Sequence, residues 1–200
     1  MCGRYHLRAE EREVQDIGEL LRSRSPSLPE KAALSGEICP GMAAPVKSLS
    51  RSGDISYFLM HWGFSMDKRL IINARAESVP VKPLFSSSFS NRRCLIPASS
   101  YYEWGPEKGD PYTFCRSDGG LLFMAGLYRF EPDRVSYVIV TRPASDAFSA
   151  VHDRMPLILS PAQQVQWLTP GTDVSALLSG GETDLSMQPP SQKQQQLRFL

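Results

Sequence analysis

Cys2 opens the stretch MCGRY, and its chemistry depends on standing at a chain end. A small residue behind Met1 normally lets the initiator be removed, which leaves Cys2 with a free α-amine and a thiol on adjacent carbons. Reference pKa values are about 7.7–8.0 for the amine and about 8.5 for the thiol, so a useful fraction of each is nucleophilic near neutrality. The amine can condense with an aldehyde to an imine, and the neighbouring thiolate can then close a five-membered thiazolidine on the same carbon. The thiol can also attack an acyl carbon with the amine as its base. In the plainest reading, Cys2 is only a small residue at a frayed terminus.

Three other stretches carry groups suited to such chemistry. In INARAES, Asn73 follows a short apolar run, the pattern of a polar site at a strand end or of a turn that satisfies its own backbone. In YYEW, Glu103 is flanked by large aromatics; desolvation there would raise its pKa and suit it to proton transfer, whereas a salt-bridged surface Glu would stay ionised. In VHDRMPLIL, His152, Asp153 and Arg154 stand together at the entrance to an apolar strand, as a base with its partners or as a local ion pair beside a core histidine.

The elements that must hold these groups are short. Val14, Ile17 and Leu21 share one face of a helix predicted over Ala9 to Leu21, and Ser23 to Ser35 reads as a loop. ICPGMAAPV places a Pro-Gly turn before an extended piece, and SYFLMHW reads as a strand ended by Gly63. CLIP, Tyr112 to Cys115, Leu121 to Tyr128 and Ser136 to Thr141 are further strands. Ser160, Pro161 and Gln163 spell a helix start with a capping box, and a short helix is expected over Thr172 to Leu178. The predicted fold is α+β: a single compact domain, mainly antiparallel, with a few peripheral helices. Two hundred residues with 42% hydrophobic content suit one domain, placed at residues 2–181, with a polar, poorly ordered tail over 182–200. Net charge is +1, from 22 basic and 21 acidic residues, so a nucleic-acid surface would need local clustering. The four cysteines form no CxxC pair and no leader precedes them, which points to reduced thiols in the cytoplasm, with no metal and no cofactor. No apolar run approaches the roughly 18 residues of a membrane span.

MCGRY, INARAES, RRCLIPASSYYEW and VHDRMPLIL, in that order over roughly residues 2 to 170, resemble the SOS-response-associated peptidase (SRAP) family, the abasic-site processing proteins. The resemblance implies a β-barrel-like core and covalent capture of abasic sites in single-stranded DNA by a monomer. The open-chain abasic sugar supplies the aldehyde that a 1,2-aminothiol traps. It implies that Asn73 orients the Cys2 amine or sugar oxygens, that Glu103 shuttles protons, and that His152 holds the sugar or its phosphate and assists reversal. Abasic lyase activity and self-removal of Met1 are implied as well. Arg4, Arg75 and Arg154, each within three residues of one of these groups, are expected to bind phosphates. Trp62 is expected to stack on a base, Pro40 with Ile38 to form an apolar wedge, and Thr141 to lie near the pocket. Ser100 and Tyr101 replace the family's usual Gly and Phe, and the C-terminal part has no clear match to the family's usual ending. The rival reading is an N-terminal-nucleophile amidohydrolase or peptidase acting on an acyl substrate.

Overall fold

The computed structural model describes residues 2–25, 27–29, 32–106, 109–181 and 184–190. In chain order its strands are β1 (Tyr5–Leu7), β2 (Gly36–Ile38), β3 (Ala43–Leu49), β4 (Ile55–Trp62), β5 (Phe64–Met66), β6 (Arg69–Ile71), β7 (Asn73–Arg75), β8 (Arg93–Ala98), β9 (Ser100–Glu103), β10 (Tyr112–Arg116), β11 (Leu122–Phe130), β12 (Val135–Pro143), β13 (Arg154–Pro156) and β14 (Leu185–Gln188). The helices are α1 (Arg12–Arg24), α2 (Pro83–Asn91) and α3 (Pro161–Leu168), with a 3-10 turn at Ser175–Leu178.

Strands β11, β8, β3, β4 and β12 pair in that order, and β12 pairs back onto β11, so the sheet closes into the barrel expected from the resemblance. Closure leaves these strands without free edges. The pairings are antiparallel except where β12 runs parallel to β4 (Tyr137 opposite Trp62) and to β7 (Ile139 opposite Asn73). Both strands use the same edge of β12, one after the other. Between them the chain leaves at Gly63, whose φ of +116° suits glycine, forms the β5–β6 hairpin, and returns at Asn73. Gly63 N still donates to Tyr137 O at 2.8 Å, so the excursion begins without breaking the ladder. A second, open sheet runs β14-β10-β9-β1-β2.

The helix expected over Ala9 to Leu21 forms three residues later. Glu11 stands at its N-cap without a capping bond because its carboxylate instead accepts from Arg8 Nε and Ser99 Oγ, each at 2.6 Å. Val14, Ile17 and Leu21 are buried as the spacing requires. The capping box of α3 is present, with Ser160 N donating to Gln163 Oε1 at 3.0 Å. The helix expected over Thr172 to Leu178 is reduced to the 3-10 turn. Helix α2, rich in Ser, was not anticipated; Pro83 sits in its first turn and Phe85 anchors it in the core. Two boundaries move. In the apolar run Val151 to Leu159 only Arg154–Pro156 forms a strand on β12, where Pro156 brings no N–H to the ladder; beyond it Leu157 N donates to Val140 O at 2.9 Å. The domain reaches past 181, because Leu185–Gln188 pairs along β10 and adds an edge to the open sheet; residues 191–200 lie outside the described residues. No described helix is long and apolar enough to cross a membrane.

Inside the barrel, strands approach closely only where a side chain is missing. A Cβ on Gly126 would lie 2.2 Å from Ile96 Cδ1 and 3.0 Å from the Val138 carbonyl oxygen, and the latter is backbone that cannot rotate away. Gly126→Ala is therefore expected to cost about 1–3 kcal/mol by overpacking. Urea unfolding followed by circular dichroism checks this, with a midpoint equal to the wild type counting against it.

Candidate active site

Strand β1 lies between β2 and β9, with Tyr5 opposite both Ile38 and Tyr101. Tyr102 N extends the pairing by donating to Arg4 O at 3.1 Å. This brings the residues before β1 alongside the end of β9, where Glu103 stands. Cys2 is fully buried there, its thiol 3.8 Å from Arg4 O. Asn73, the first residue of β7, reaches across and donates from Nδ2 to Cys2 O at 2.9 Å. Its Oδ1 is buried with no hydrogen-bond partner among the described residues. The barrel and the open sheet thus each supply one side of the site.

The electrostatics show how close these groups are. Burial raises the Cys2 thiol above its ordinary range, and the Glu103 charge raises it further. Glu103 is 3% exposed; burial raises its carboxyl in turn, while the charge of His152 works against the rise. His152 follows a loop held by Phe148, which packs edge-on against Phe114 (5.3 Å between centroids) beneath Tyr101 (4.8 Å, stacked). Its Nδ1 accepts from Arg154 N at 3.0 Å and lies 2.8 Å from Asp153 Oδ1. The structure therefore brings together Cys2, Asn73, Glu103 and His152, which the sequence spreads over 150 residues.

The residues expected to bind DNA divide. Arg75 is exposed, as is Pro40 at a turn. Arg4 is partly exposed, ion-paired with Glu37 at 3.4 Å and lying 5.0 Å above the Trp104 ring. Trp62 is a correction: it is fully buried, tilted against Tyr5, parallel to Tyr137 at 6.3 Å, and its Nε1 donates to Ile72 O at 3.0 Å. As the last residue of β4 it faces the core, so no base can reach it. Ile38 is likewise fully buried, because its partner Tyr5 turns the same way. Arg154 is only 8% exposed; it holds both carboxylate oxygens of Glu77 and donates to Thr141 O at 2.6 Å, which leaves Thr141 buried beneath it.

A groove of about 940 Å³ begins at Asn73 and Arg75 and runs between the β5–β6 hairpin and α2. Lys68, Arg69 and Lys82 line it beside Leu70, Ile72 and Phe85. The hairpin is anchored by Glu131, which accepts from Ser65 N at 2.7 Å. Burial pushes Glu131 up, but bonds from Arg129, Ser65, Ser136 and Arg134 overcome it and hold the carboxyl at about 2. The groove cations and the partly exposed Trp104 were not singled out in the sequence. The Asp67-Lys68-Arg69 turn, with Asp67 at φ +53°, is the one local signal for them.

The fold and the cluster define a mixed α+β protein in which the residue-2 thiol sits beside a buried carboxyl and a carboxamide, at the mouth of a cationic groove. The family model described as SOS response associated peptidase (SRAP) matches residues 1–194, and the chain belongs to that family. It is 34% identical over 137 residues to the abasic site processing protein YoqW of Bacillus subtilis, an alignment covering 60% of this chain and 61% of that protein. It is 28% identical over 194 residues to the abasic site processing protein YedK of Escherichia coli, covering 90% and 86% of the two chains. Among solved structures, a phage-related protein of Bordetella bronchiseptica is similar with a TM-score of 0.72 at 25% identity, over 96% of this chain and 95% of that one. A Bacteroides thetaiotaomicron protein shares the fold with a TM-score of 0.71 at 20% identity, over 93% of this chain and 90% of that one.

Two measurements check this geometry. Trp62→Phe keeps the ring packing but removes one of the two bonds to the Ile72 carbonyl, which still accepts from Ile139 N at 3.1 Å, so stability should fall by about 0.5–1.5 kcal/mol while affinity for a single-stranded oligonucleotide stays within about twofold. A large loss of affinity without a loss of stability would restore the stacking role. The second concerns Glu103, whose carboxyl is raised above its ordinary 4.5 in the folded state. The folded state thus holds that proton more tightly. Its contribution is complete below the unfolded value and is lost as pH rises through the raised one. Melting temperatures of wild type and Glu103→Gln, compared from about pH 4 to about pH 8, should shift in favour of the variant as pH rises. Parallel curves would mean that Glu103 is not desolvated.

Proposed function

We propose that this chain captures abasic sites in single-stranded DNA as a covalent thiazolidine on Cys2, once Met1 has been removed by the protein itself or by an aminopeptidase. One observation carries the reading: Asn73 bonds to Cys2 O and also stands at the end of the cationic groove, so a strand lying in the groove delivers its sugar to residue 2. Two of the similar proteins, those of Bacillus subtilis and Escherichia coli, bear the name abasic site processing protein, which is consistent with it.

The free Cys2 amine adds to the C1′ aldehyde of the ring-opened sugar and gives a carbinolamine. Loss of one water gives the imine. The thiol then adds to the same carbon, its proton passing to nitrogen, and the ring closes; the net change is aldehyde plus aminothiol to thiazolidine plus one water. Glu103 as carboxylate takes a proton from the Cys2 ammonium and so frees the amine to attack, and as carboxylic acid it protonates the departing hydroxyl. Burial raises its pKa, which favours the protonated form more than for an ordinary carboxyl and suits it to give a proton as well as take one. Asn73 Oδ1, which lacks a partner, accepts from the α-amine and aims its lone pair at the aldehyde. His152 hydrogen-bonds the sugar or its phosphate and assists ring opening and reversal. Arg75 and the groove lysines neutralise the backbone phosphates, and Arg4 with Trp104 offers a cation and an exposed ring for an unstacked base. Loss of a proton from C2′ of the imine would expel the 3′ phosphate, so a weak lyase activity accompanies capture.

The test is intact-protein mass spectrometry after incubation with a single-stranded oligonucleotide carrying one abasic site, with a uracil-containing oligonucleotide as control. Protein lacking Met1 should gain the mass of the abasic oligonucleotide less one water, with no reductant added. Cys2→Ala should give no such adduct without borohydride, and Glu103→Gln should form it about 10²-fold more slowly. A processed wild type that gains nothing overturns covalent capture and returns the site to acyl chemistry.

A further inference from the structure

The β5–β6 hairpin, one wall of the groove, leaves the barrel as a two-stranded ribbon. Backbone bonds hold it at its base, from Gly63 N to Tyr137 O at 2.8 Å and from Ile139 N to Ile72 O at 3.1 Å. Between those points its strands pair, among the described residues, only with each other: Phe64 opposite Ile71, Ser65 opposite Leu70 and Met66 opposite Arg69. An isolated pair of strands is marginal in water, so the direction of the ribbon must be set from outside.

Phe64 sets the first rung, fully buried against Phe85 of α2. Side chains at the β11–β12 junction set the second. Ser65 N donates to Glu131 Oε1 at 2.7 Å and Ser65 Oγ to Glu131 Oε2 at 3.1 Å, while Arg129 donates to Ser65 O and Arg134 Nη2 to Ser65 Oγ at 2.8 Å. Both backbone groups of Ser65 are thus satisfied on the side away from β6, as a neighbouring strand would satisfy them. Glu131 orders this substitute for a strand. It also accepts from Arg129 Nε at 3.0 Å and from Ser136 Oγ at 2.8 Å, its side chain is 5% exposed, and the Arg129 that it orients lies 4.4 Å over the Phe64 ring. Beyond this rung Met66, Asp67, Lys68 and Arg69 are all exposed, so the cations of the turn stand where Ser65 directs them.

Taking the groove as the path of the DNA, as in the proposed function, we propose that Glu131 is a positioning residue for binding: through Ser65 it holds the hairpin so that Lys68 and Arg69 face the same DNA strand as Lys82 on the other wall, and it touches neither DNA nor the reacting groups. The sign of its effect separates this role from charge alone. Glu131→Gln removes a negative charge, which by itself would tighten binding to a polyanion. A hairpin released from its anchor spreads its cations over many positions and weakens binding.

The experiment measures affinity for an undamaged single-stranded oligonucleotide by fluorescence anisotropy as salt is varied, for wild type, Glu131→Gln, the double variant Lys68→Ala with Arg69→Ala, and all three substitutions together. Glu131→Gln should bind about tenfold more weakly at about 0.15 M salt, and the slope of log affinity against log salt should be shallower by about 1.4, the worth of two phosphate contacts on a single strand. The double variant should lose as much, and adding Glu131→Gln to it should cost less than about twofold more. The limiting rate of single-turnover crosslinking to an abasic oligonucleotide should stay within about twofold in Glu131→Gln. Unchanged or tighter binding by Glu131→Gln overturns the proposal. So does a further tenfold loss in the triple variant, which would put the effect of Glu131 away from the hairpin cations. If Glu131→Gln does not fold, Ser65→Ala decides: it removes the two hydroxyl bonds, keeps the backbone ties, and should weaken binding about threefold, near the worth of one phosphate contact, with no loss overturning the proposal. A double variant that binds like wild type defeats the groove as the DNA path and this proposal with it. A wild type that binds without crosslinking defeats covalent capture only, and the binding comparison still decides the role of Glu131.

Discussion

Keeping the first residues of a chain inside the protein opposes the entropy that frays most termini, and the site depends on that being done. Ordering Cys2 through Tyr5 costs about 1–2 kcal/mol per residue in backbone freedom, whereas each hydrogen bond returns only about 0.5–1.5 kcal/mol net. Polar contacts to the segment therefore roughly break even. Tyr5 decides the balance: its ring is fully buried against Trp62 at 5.2 Å, and its hydroxyl reaches Tyr137 at 2.7 Å. Burial of one such side chain is worth about 1.5–3 kcal/mol. Downstream, Ser99 Oγ accepts from Arg8 N at 2.8 Å and donates to Glu11, which fixes the exit of β1 as well. Cys2 is held because the residues after it are.

Tyr5 and Trp62 lead directly to β12, the strand on which the barrel and the site meet. Each edge of β12 is used twice, by β4 and then β7 on one side and by β11 and then β13 on the other. The first partner on each edge closes the barrel. The second brings in a residue of the candidate site: Asn73 opens β7, and β13 follows closely on His152. The parallel register of β7 sets Asn73 opposite Ile139, a fully buried residue, so the carboxamide starts from the stiffest part of the fold. Trp62, expected at the DNA, instead fills the corner where β4 gives way to the hairpin. Its bond to Ile72 O joins the departing chain to the returning one.

What could be read from the sequence was a candidate set: Cys2, Asn73, Glu103 and His152 stand in short stretches whose pattern allows a strand end or a turn, and the family resemblance supplied their expected roles. The capping box of α3 was legible for the same reason: its partners are three residues apart. What could not be read is direction and distant pairing. Alternation along SYFLMHW shows a strand without saying which face carries Trp62, and that depends on a tyrosine more than fifty residues earlier. Arg154 looks like a free cation until Glu77, which is 77 residues away, is set beside it. Polarity hid β14, since an edge strand with its outer positions in water carries little apolar signal; α2 was hidden by serines, which favour turns over helix in isolation.

Burial of Cys2 first reads as an obstacle, since the thiolate is the nucleophile and burial suppresses it. Under the proposed chemistry the obstacle is small, because the thiol acts second. Once the amine has formed the imine, the sulfur is attached to the molecule it attacks, and well-oriented intramolecular additions reach effective molarities of about 10⁵–10⁸ M. A small thiolate fraction then suffices, with Glu103 close enough to receive the proton. The same suppression protects the residue between encounters, because oxidation to the sulfenic acid also proceeds through thiolate and follows exposure. An exposed Cys2 would attack sooner in a first step it is not required to perform, and it would be lost sooner to oxidants. In the proposed chemistry, burial thus gives the amine the first bond and keeps the sulfur intact for the second.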